Sequence, residues 1–390
     1  MNNNISKMRL IVNSPVNISS GIELTSKDYL YDYEKGIIYF LNAKLWRRFI
    51  IKNGLLDSYQ RYLTDFREKN NLLDWLKKNK YNLTDIGECI AGSARAEVNV
   101  LKNTRKSTLN NVLCQMKLYD GSIYIPGSSI KGFIKSAIMY YLLKDNTQLK
   151  SYFWNELKKI IDSPYFKEND IKYIVEPLGK RIETDLLHKL DLGTETDRIN
   201  KKDVLCSIMK GIKCSDAYSE KQVDTAVLQK IDLTFDREGN IKENKLSLFK
   251  ECITKGNEFT FVLEVDTSYT SLVNINDIDK LLKIVEEFYQ QIIKMFKDAF
   301  IKKAAESFSD CNEANMFLGS GTGFLTKTVI ACLAPDSKEA KDYIRCLLNK
   351  KFFKHKHLQL DKIISPRTLK ITKFKGQQKL MGLVRIEKYE

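Results

Sequence analysis

The stretch that decides the fold is Tyr124-Ile125-Pro126-Gly127-Ser128-Ser129-Ile130-Lys131-Gly132-Phe133-Ile134-Lys135-Ser136-Ala137. Its alternating start, its Pro-Gly pair and its later apolar residues at helical spacing predict a short strand, a tight turn and a helix. We expect a hydroxyl of Ser128 or Ser129 to cap this helix, because a side-chain oxygen can accept from a first-turn amide. Lys131 and Lys135 lie four residues apart, off the apolar face. Free amides, two hydroxyls and two lysines at a helix start predict a phosphate site.

Two better-known motifs nearly fit this stretch and fail. Gly127 and Gly132 have the spacing of a P-loop, but Phe133 stands where the P-loop lysine should be, which argues against nucleotide hydrolysis. Ser128-x-x-Lys131 matches the motif of penicillin-binding proteins, but the chain has no supporting Lys-Thr-Gly triplet. An ordinary strand, turn and helix with solvated lysines remains the alternative reading.

The positive charge of the chain is concentrated near its C-terminal end. The 390 residues carry a net charge of +15 at pH 7, and 43% of them are hydrophobic, which is too many for a disordered chain. Residues 341–390 contain 14 Lys or Arg against 4 Asp or Glu, which is +10 of the total. A basic patch of this kind predicts contact with nucleic acid.

Three segments carry a resemblance to a known family. The stretch at 124–132 resembles the signature of the RAMP superfamily, the RNA-binding subunits of CRISPR effector complexes. The glycine-rich segment 317–324 looks like the glycine loop of the same superfamily. Segment order, chain length and residues 365–370 are most similar to the fifth Csm subunit family of type III-A complexes.

The resemblance implies an α+β fold with a ferredoxin-like (RRM-like) core and large helical insertions. The order of predicted elements, strand, helix, strand, strand, helix, strand, agrees with that core. Its strands include residues 8–12, 37–41 and 259–265, and its best helix covers 277–307 with Asn276 as the cap. The predicted division is a discontinuous core from 1–43, 115–146 and 203–390, a helical insertion at 44–114 with a thumb-like hairpin, and a second helical, partly disordered insertion at 147–202.

The candidate RNA-binding residues come from the helix start, the glycine loop and the basic C-terminal patch. Glycines let main-chain amides approach a phosphate closely, and lysines or arginines contact the backbone rather than the bases. A plain glycine-rich surface loop is the alternative. Phe352, Phe353 and Phe374 could stack on bases, although core packing is the commoner outcome. The predicted contacts are Ser128, Ser129, Lys131, Lys135, Gly319, Ser320, Gly321, Thr322, Gly323, Lys327, Arg367 and Lys370.

The resemblance implies a non-catalytic subunit that caps the 3′ end of a CRISPR RNA in a type III-A interference complex. This subunit would support CRISPR RNA maturation and antiviral defence. Its partners would be the CRISPR RNA, the repeated RAMP backbone subunit and host nucleases that trim the RNA. A protein–protein adaptor is a third reading. No signal peptide or membrane-length apolar run is visible, so we expect a cytoplasmic ribonucleoprotein component.

Catalytic and cofactor chemistry have little support. The alternative function is a metal-independent endoribonuclease that uses His355 or His357 to process CRISPR RNA. Similar processing enzymes often carry a histidine near the N-terminal region, whereas the first histidine here is His188. The eight cysteines have no Cys-x-x-Cys spacing, so no zinc site is predicted and the thiols should be reduced. Asp216 and Asp266 lack a second motif-placed acid, and no cofactor is expected.

Overall fold

The protein combines helices with two β-sheets, as the sequence predicts in outline. The computed structural model describes residues 3–65, 71–97, 109, 111–190, 204–236 and 238–389. The strands within these residues form a seven-stranded and a nine-stranded sheet. Across the same residues, no helix has both the length and the apolar character needed to cross a bilayer. All eight cysteines are free thiols, in agreement with the prediction.

The first sheet contains the strands that precede both RAMP-like motifs. Its central strands are antiparallel to each other, and Leu10 faces Phe259 in their register. The spatial order is β13 (Met316–Phe317), β16 (Leu383–Lys388), β1 (Asn3–Val12), β12 (Glu258–Asp266), β9 (Ala217–Tyr218) and β7 (Tyr124–Ile125), with β8 (Ile212–Cys214) also paired to β12.

The second sheet is built around a long antiparallel hairpin. Its order is β2 (Ser19–Leu24), β6 (Val112–Gln115), β11 (Ile241–Ile253), β10 (Thr225–Phe235), β5 (Ile90–Glu97), β4 (Ile37–Leu41) and β3 (Tyr29–Asp32), with β14 (Leu369–Phe374) paired to β10 and to β15 (Gln377–Leu380). The sequence reading missed β10 and β11. Alternating lysine and glutamate residues in β11 hide the apolar signal, although Asp236 and Gly239 mark the turn between the two strands.

The helices cover the sheets and supply a large part of the core. Helix α9 buries an apolar stripe against the first sheet and against α4, where the rings of Phe133 and Phe288 lie 5.3 Å apart. The helices are α1 (Ala43–Lys52), α2 (Leu56–Thr64), α3 (Leu72–Lys78), α4 (Gly127–Lys144), α5 (Thr147–Ile161), α6 (Glu168–Asp170), α7 (Glu176–Leu187), α8 (Thr267–Thr270), α9 (Ile278–Ala304), α10 (Ile330–Leu333), α11 (Ser337–Lys351) and α12 (His357–Leu360).

Several element predictions are confirmed, and one cap is corrected. Strands β1, β4 and β12 and helix α9 all lie where the apolar spacing predicts them. The cap of α9 is Asp277 rather than Asn276, because the Asp277 carboxylate accepts from the Lys280 amide at 2.6 Å. The capping residue therefore lies one position later than predicted.

The two predicted insertions and their boundaries stay a prediction. The range 44–114 contains α1 to α3 and also β5 and β6 of the second sheet. The thumb-like hairpin falls largely on 98–108, which lie outside the described residues. The range 147–202 contains α5 to α7. Partial disorder was predicted for 177–202, where α7 extends to Leu187 and residues 191–202 lie outside the described residues.

Candidate nucleic-acid interface

The start of α4 is held by the protein's own carboxylate rather than by a serine. The N-cap residue is Pro126, whose own side chain makes no cap hydrogen bond, and the Gly127 amide donates instead to Oδ1 of Asp216 at 2.7 Å. The predicted cap at Ser128 or Ser129 is therefore wrong. A Cβ on Gly127 would lie 2.4 Å from the carbonyl oxygen of Cys214, so glycine is needed for this close approach. An anion thus already occupies the position of the first amide.

The two lysines of α4 have different surroundings. Partial burial lowers the pKa of Lys131 below its ordinary value, because desolvation disfavours the charged form. The Lys135 ammonium lies 2.9 Å from the carboxylate of Glu183 on α7. Both members of that pair are partly exposed, so the pair adds little stability and Lys135 can exchange partners. Among these residues, Ser128 is exposed and Ser129 is half-buried.

The glycine loop, residues 319–323, packs tightly against the rest of the chain. Gly319 has a φ of +70°, and a Cβ there would lie 2.2 Å from the Asn17 carbonyl oxygen. A Cβ on Gly321 would lie 2.2 Å from the carbonyl oxygen of Met381. Ser320 donates its amide to the Asn17 carbonyl at 2.7 Å. These two glycines are therefore required by internal packing.

Three of the five loop amides, those of Ser320, Thr322 and Gly323, are already used within the protein. Thr322 donates its amide to the Gly319 carbonyl at 3.2 Å, and Gly323 donates to the hydroxyl of Thr326 at 3.0 Å. The Thr322 carbonyl in turn accepts from Nζ of Lys370 at 2.8 Å. In this conformation the loop positions the Lys370 ammonium group, and a phosphate would contact that group rather than a row of free loop amides.

Three lysines from other segments interact electrostatically with Lys370 beside this loop, and we call the four of them the lysine cluster: Lys230, Lys250, Lys327 and Lys370. Burial, and after it the charges of the other three lysines, lower the pKa of Lys370 to about 8 against one opposing carboxylate, Asp232. Lys230 pairs with Asp232 at 2.9 Å. Uncompensated positive charge of this kind favours an anion as its partner.

The sequence reading predicted two members of the lysine cluster and missed two. Lys327 is exposed, and Lys370 is half-buried, as a strand residue opposite buried Leu369 would be. Lys250 is only 5% exposed, and burial lowers its pKa. Lys230 and Lys250 lie on β10 and β11, so recognising that hairpin was the signal that could have found them.

The helix start and the glycine loop do not meet in one compact pocket. The strand before the loop, β13, and the strand before α4, β7, lie at opposite edges of the first sheet with four strands between them. Five strand spacings correspond to about 24 Å across the sheet. The two predicted halves can therefore share a ligand only if that ligand is extended.

Arg367 is held by a buried carboxylate. Its guanidinium donates to Asp361 at 2.7 Å and to the His355 carbonyl at 3.2 Å. Burial alone would raise the pKa of Asp361, but hydrogen bonds from His357, Ser365 and Arg367 outweigh it and leave the pKa below its ordinary value. Arg367 thus fixes the segment around residues 355–361.

The two candidate catalytic histidines have opposite exposures. His357 is 6% exposed, its Nδ1 lies 2.8 Å from Asp361, and its Nε2 is buried without a partner within the described part of the chain. A substrate hydroxyl could not reach Nε2 in this arrangement. His355 is exposed, and its ring stacks on Phe352 at 5.5 Å. The described residues also contain no group of three or more acidic, histidine or cysteine side chains placed to hold a metal ion.

Two of the three aromatic residues of the basic patch lie at the surface rather than in the core. Phe352 is 44% exposed and Phe353 is 78% exposed, so the expectation of core packing was wrong for both. Phe374 is partly buried against a small cluster that includes Leu228 and Met381. Apolar periodicity could not distinguish these cases, because Phe352 and Phe353 follow directly after α11.

A family model described as the RAMP superfamily matches residues 9–326. This match spans more than half of the chain, and the protein belongs to the RAMP superfamily. The matched segment contains the start of α4 and the whole glycine loop. Lys327, Lys370 and the region around Asp361 lie beyond it.

Individual proteins similar to this chain give a narrower likeness than the superfamily model does. The chain is 23% identical over 330 residues to the CRISPR system Cms protein Csm5 of Streptococcus thermophilus, covering 83% of this chain and 79% of the relative. It is 22% identical over 370 residues to the protein of the same name from Mycobacterium tuberculosis strain H37Rv, covering 92% and 91%.

Solved structures extend the likeness over the full length. A chain of the Csm-crRNA-target RNA ternary complex of a type III-A CRISPR-Cas system has a TM-score of 0.61 and 21% identity, covering 98% of this chain and 100% of that chain. The crystal structure of T. onnurineus Csm5 has a TM-score of 0.61 and 19% identity, covering 97% and 99%. At these identities the structural likeness establishes the fold.

Proposed function

We propose that the protein is a non-catalytic RNA-binding subunit of a CRISPR effector complex. The observation that carries this proposal is the lysine cluster beside the glycine loop, where three lysines from β10, β11 and β14 and exposed Lys327 face one carboxylate. Buried or half-buried ammonium groups with few carboxylates nearby are stabilised most when a polyanion supplies the missing negative charge. Its similarity to proteins named Csm5 supports a place in a type III-A complex.

The finer role follows from the same similarity. We propose that the chain binds the 3′ end of the CRISPR RNA at one end of the complex, in contact with the repeated backbone subunit and in the cytoplasm. The similar proteins are not named for any nuclease, so a trimming partner stays a prediction. We also propose a ferredoxin-like core around β1, β12, α4 and α9, with insertions at 44–114 and 147–202. The packing of α4 on α9 supports that core.

Binding would proceed mainly through backbone phosphates. Lys327 and Lys370 approach the loop from two different segments, and Lys131 and Lys135 lie across the first sheet. A single strand extended over roughly 24 Å could contact both groups. Cations on flexible side chains recognise phosphate charge rather than base identity, so we expect weak sequence preference.

The absence of catalysis is part of the proposal. His357 supports it, because this ring is buried and held by Asp361. Incubation of the purified chain with precursor CRISPR RNA in EDTA should leave the RNA intact. Cleavage that disappears in His357→Ala or His355→Ala would instead establish the endoribonuclease.

Salt dependence tests the binding itself. About five phosphate contacts to single-stranded RNA predict a slope near −3.5 when log affinity is plotted against log salt concentration. The double variant Lys327→Ala and Lys370→Ala should reduce that slope by about 1.4. Lys283→Ala, an exposed charge on α9, is the matched control and should leave the slope unchanged. A flat plot, or no change in the double variant, would contradict the proposal.

A further inference from the structure

The end of α11 leads into a surface on which aromatic rings are exposed. Phe352 and Phe353 are 44% and 78% exposed, and the ring of His355 stacks on Phe352 with an interplanar angle of 17°. Folded proteins usually bury phenylalanine, and a contiguous apolar patch that stays exposed is a mark of an interaction site. We call residues 350–358 the aromatic platform.

The surroundings of the platform are almost purely cationic. Lys350 and Lys351 end α11, and Lys351 reaches Glu176 only at 3.6 Å. Lys354 and Lys356 form no ion pair with any carboxylate in the described ranges. The nearby acid in sequence, Asp361, is fully buried and already bound by three donors. The solvent-facing charge is therefore positive.

The platform is held in one conformation by the interior of the protein. Arg367 donates to the His355 carbonyl at 3.2 Å, and the Leu358 amide donates to Oδ1 of Asn349 at 3.3 Å. Lys356 adopts a left-handed backbone conformation with a φ of +51°, which is uncommon for a residue other than glycine. An open cavity of about 550 Å³ borders the platform and is lined by Asn349, Phe353, Lys356, Gln359, Leu360 and Lys362. A fixed aromatic surface loses little conformational entropy when a ligand stacks on it.

We propose that the aromatic platform is a second docking surface for single-stranded RNA, where unpaired bases stack on Phe352 and Phe353 while lysines hold the flanking phosphates. Exposed rings among cations are the combination that single-stranded nucleic-acid sites use. The inference rests on the proposed function only in taking RNA as the polyanion. It adds base stacking to a backbone site and lies outside the segment that matches the superfamily.

The platform is close enough to the lysine cluster to contact the same strand. Arg367 binds the platform, and Lys370 follows three residues later, so at most about 10 Å separates their Cα atoms. A protein partner is the other candidate occupant. The lysines among the exposed rings favour RNA, because lysine is depleted in protein–protein interfaces.

Paired oligonucleotides separate stacking from backbone contact. The full chain is titrated with a 12-nucleotide RNA and with the same backbone carrying abasic sites, a length within the ~4–16 nucleotides typical of such sites. The double variant Phe352→Ala and Phe353→Ala should bind the ordinary RNA at least tenfold more weakly and the abasic strand with unchanged affinity. Tyr33→Ala, which truncates a ring about as exposed as that of Phe352 elsewhere on the surface, should change neither. Thermal melting confirms that the variants fold, since the removed rings are exposed.

The outcomes distinguish the two proposals. Unchanged affinity of the platform variant for ordinary RNA would overturn the platform, and it would leave the lysine cluster standing if Lys370→Ala weakens both strands. Loss of ordinary-RNA binding in the platform variant with no effect of Lys370→Ala would support the platform and overturn the cluster. Equal losses on both strands in the platform variant would also overturn stacking.

Discussion

Lys370 should make RNA affinity depend on pH in a range where ordinary lysines do not titrate. Its pKa is lowered to about 8 by burial and by neighbouring lysines. Bound phosphate favours the charged ammonium, so RNA binding takes up a proton. Affinity is therefore fully present below pH 8 and falls as the pH rises through that value.

The size of this effect follows from the titration. About nine-tenths of Lys370 is protonated near pH 7 and about one-tenth near pH 9, so affinity should fall about tenfold over that interval, or about 1.4 kcal/mol. The pH dependence of folding stability has the opposite sign. Lys370 keeps its proton to higher pH in the unfolded chain than in the folded protein, so the free energy of unfolding rises as the pH rises above about 8.

Fluorescence anisotropy with an oligoadenylate strand measures the effect at constant ionic strength. Lys370→Arg is the matched variant, since its guanidinium stays protonated throughout and should flatten the profile. Lys283→Arg, on the exposed face of α9, should keep the wild-type profile. A wild-type affinity independent of pH, or an arginine variant with the same slope as wild type, would refute the reasoning.

Three further changes test the structure beneath the site. Gly319→Ala should lower the free energy of unfolding by about 3 kcal/mol in urea titrations, because its Cβ would meet the Asn17 carbonyl at a positive φ, whereas Gly132→Ala, on open helix surface, should raise it by about 1 kcal/mol. Asp361→Asn should cost about 3 kcal/mol near neutral pH in the same assay by leaving buried donors uncompensated. Asp216→Ala should cost about 1 kcal/mol in thermal melting by removing the acceptor at the start of α4.

Each of these changes has an outcome that would count against it. Equal effects at Gly319 and Gly132 would mean that the loop does not pack as described. Because the pKa of Asp361 is lowered in the folded protein, its carboxylate stabilises the fold at pH values above the ordinary pKa of aspartate. This stabilisation is lost as the pH falls through the pKa of the folded state, so the free energy of unfolding of Asp361→Asn should depend less on acid than that of wild type. Identical acid sensitivity would contradict the buried network. An unchanged melting temperature in Asp216→Ala would contradict its capping role.

Local apolar patterns predicted the elements that carry strong periodicity. The strands β1, β4 and β12 and the helices α4 and α9 could be located from spacing alone, since each has one buried face. The second sheet could not, because its long hairpin mixes buried positions with lysine and glutamate. Caps also escaped prediction where the partner is distant in sequence, as Asp216 is from Gly127.

The sequence predicted which types of residue form the candidate site but not how those residues are arranged in space. The basic C-terminal patch indicated nucleic acid, yet Arg367 is engaged internally, while Lys230 and Lys250, remote in sequence, interact electrostatically with Lys370. The required glycines were recognised, but their physical reason is contact with Asn17 and Met381 rather than room for a ligand. Such facts depend on which segments fold together.

Photo-crosslinking tests the central claim most directly. Single-stranded RNA carrying 4-thiouridine is bound to the full chain, irradiated and digested, and the attached peptides are identified by mass spectrometry. The lysine cluster predicts crosslinks to peptides that contain Lys327 and Lys370, and their loss in Lys327→Ala with Lys370→Ala. RNA that binds but crosslinks only to segments remote from the glycine loop would contradict the claim.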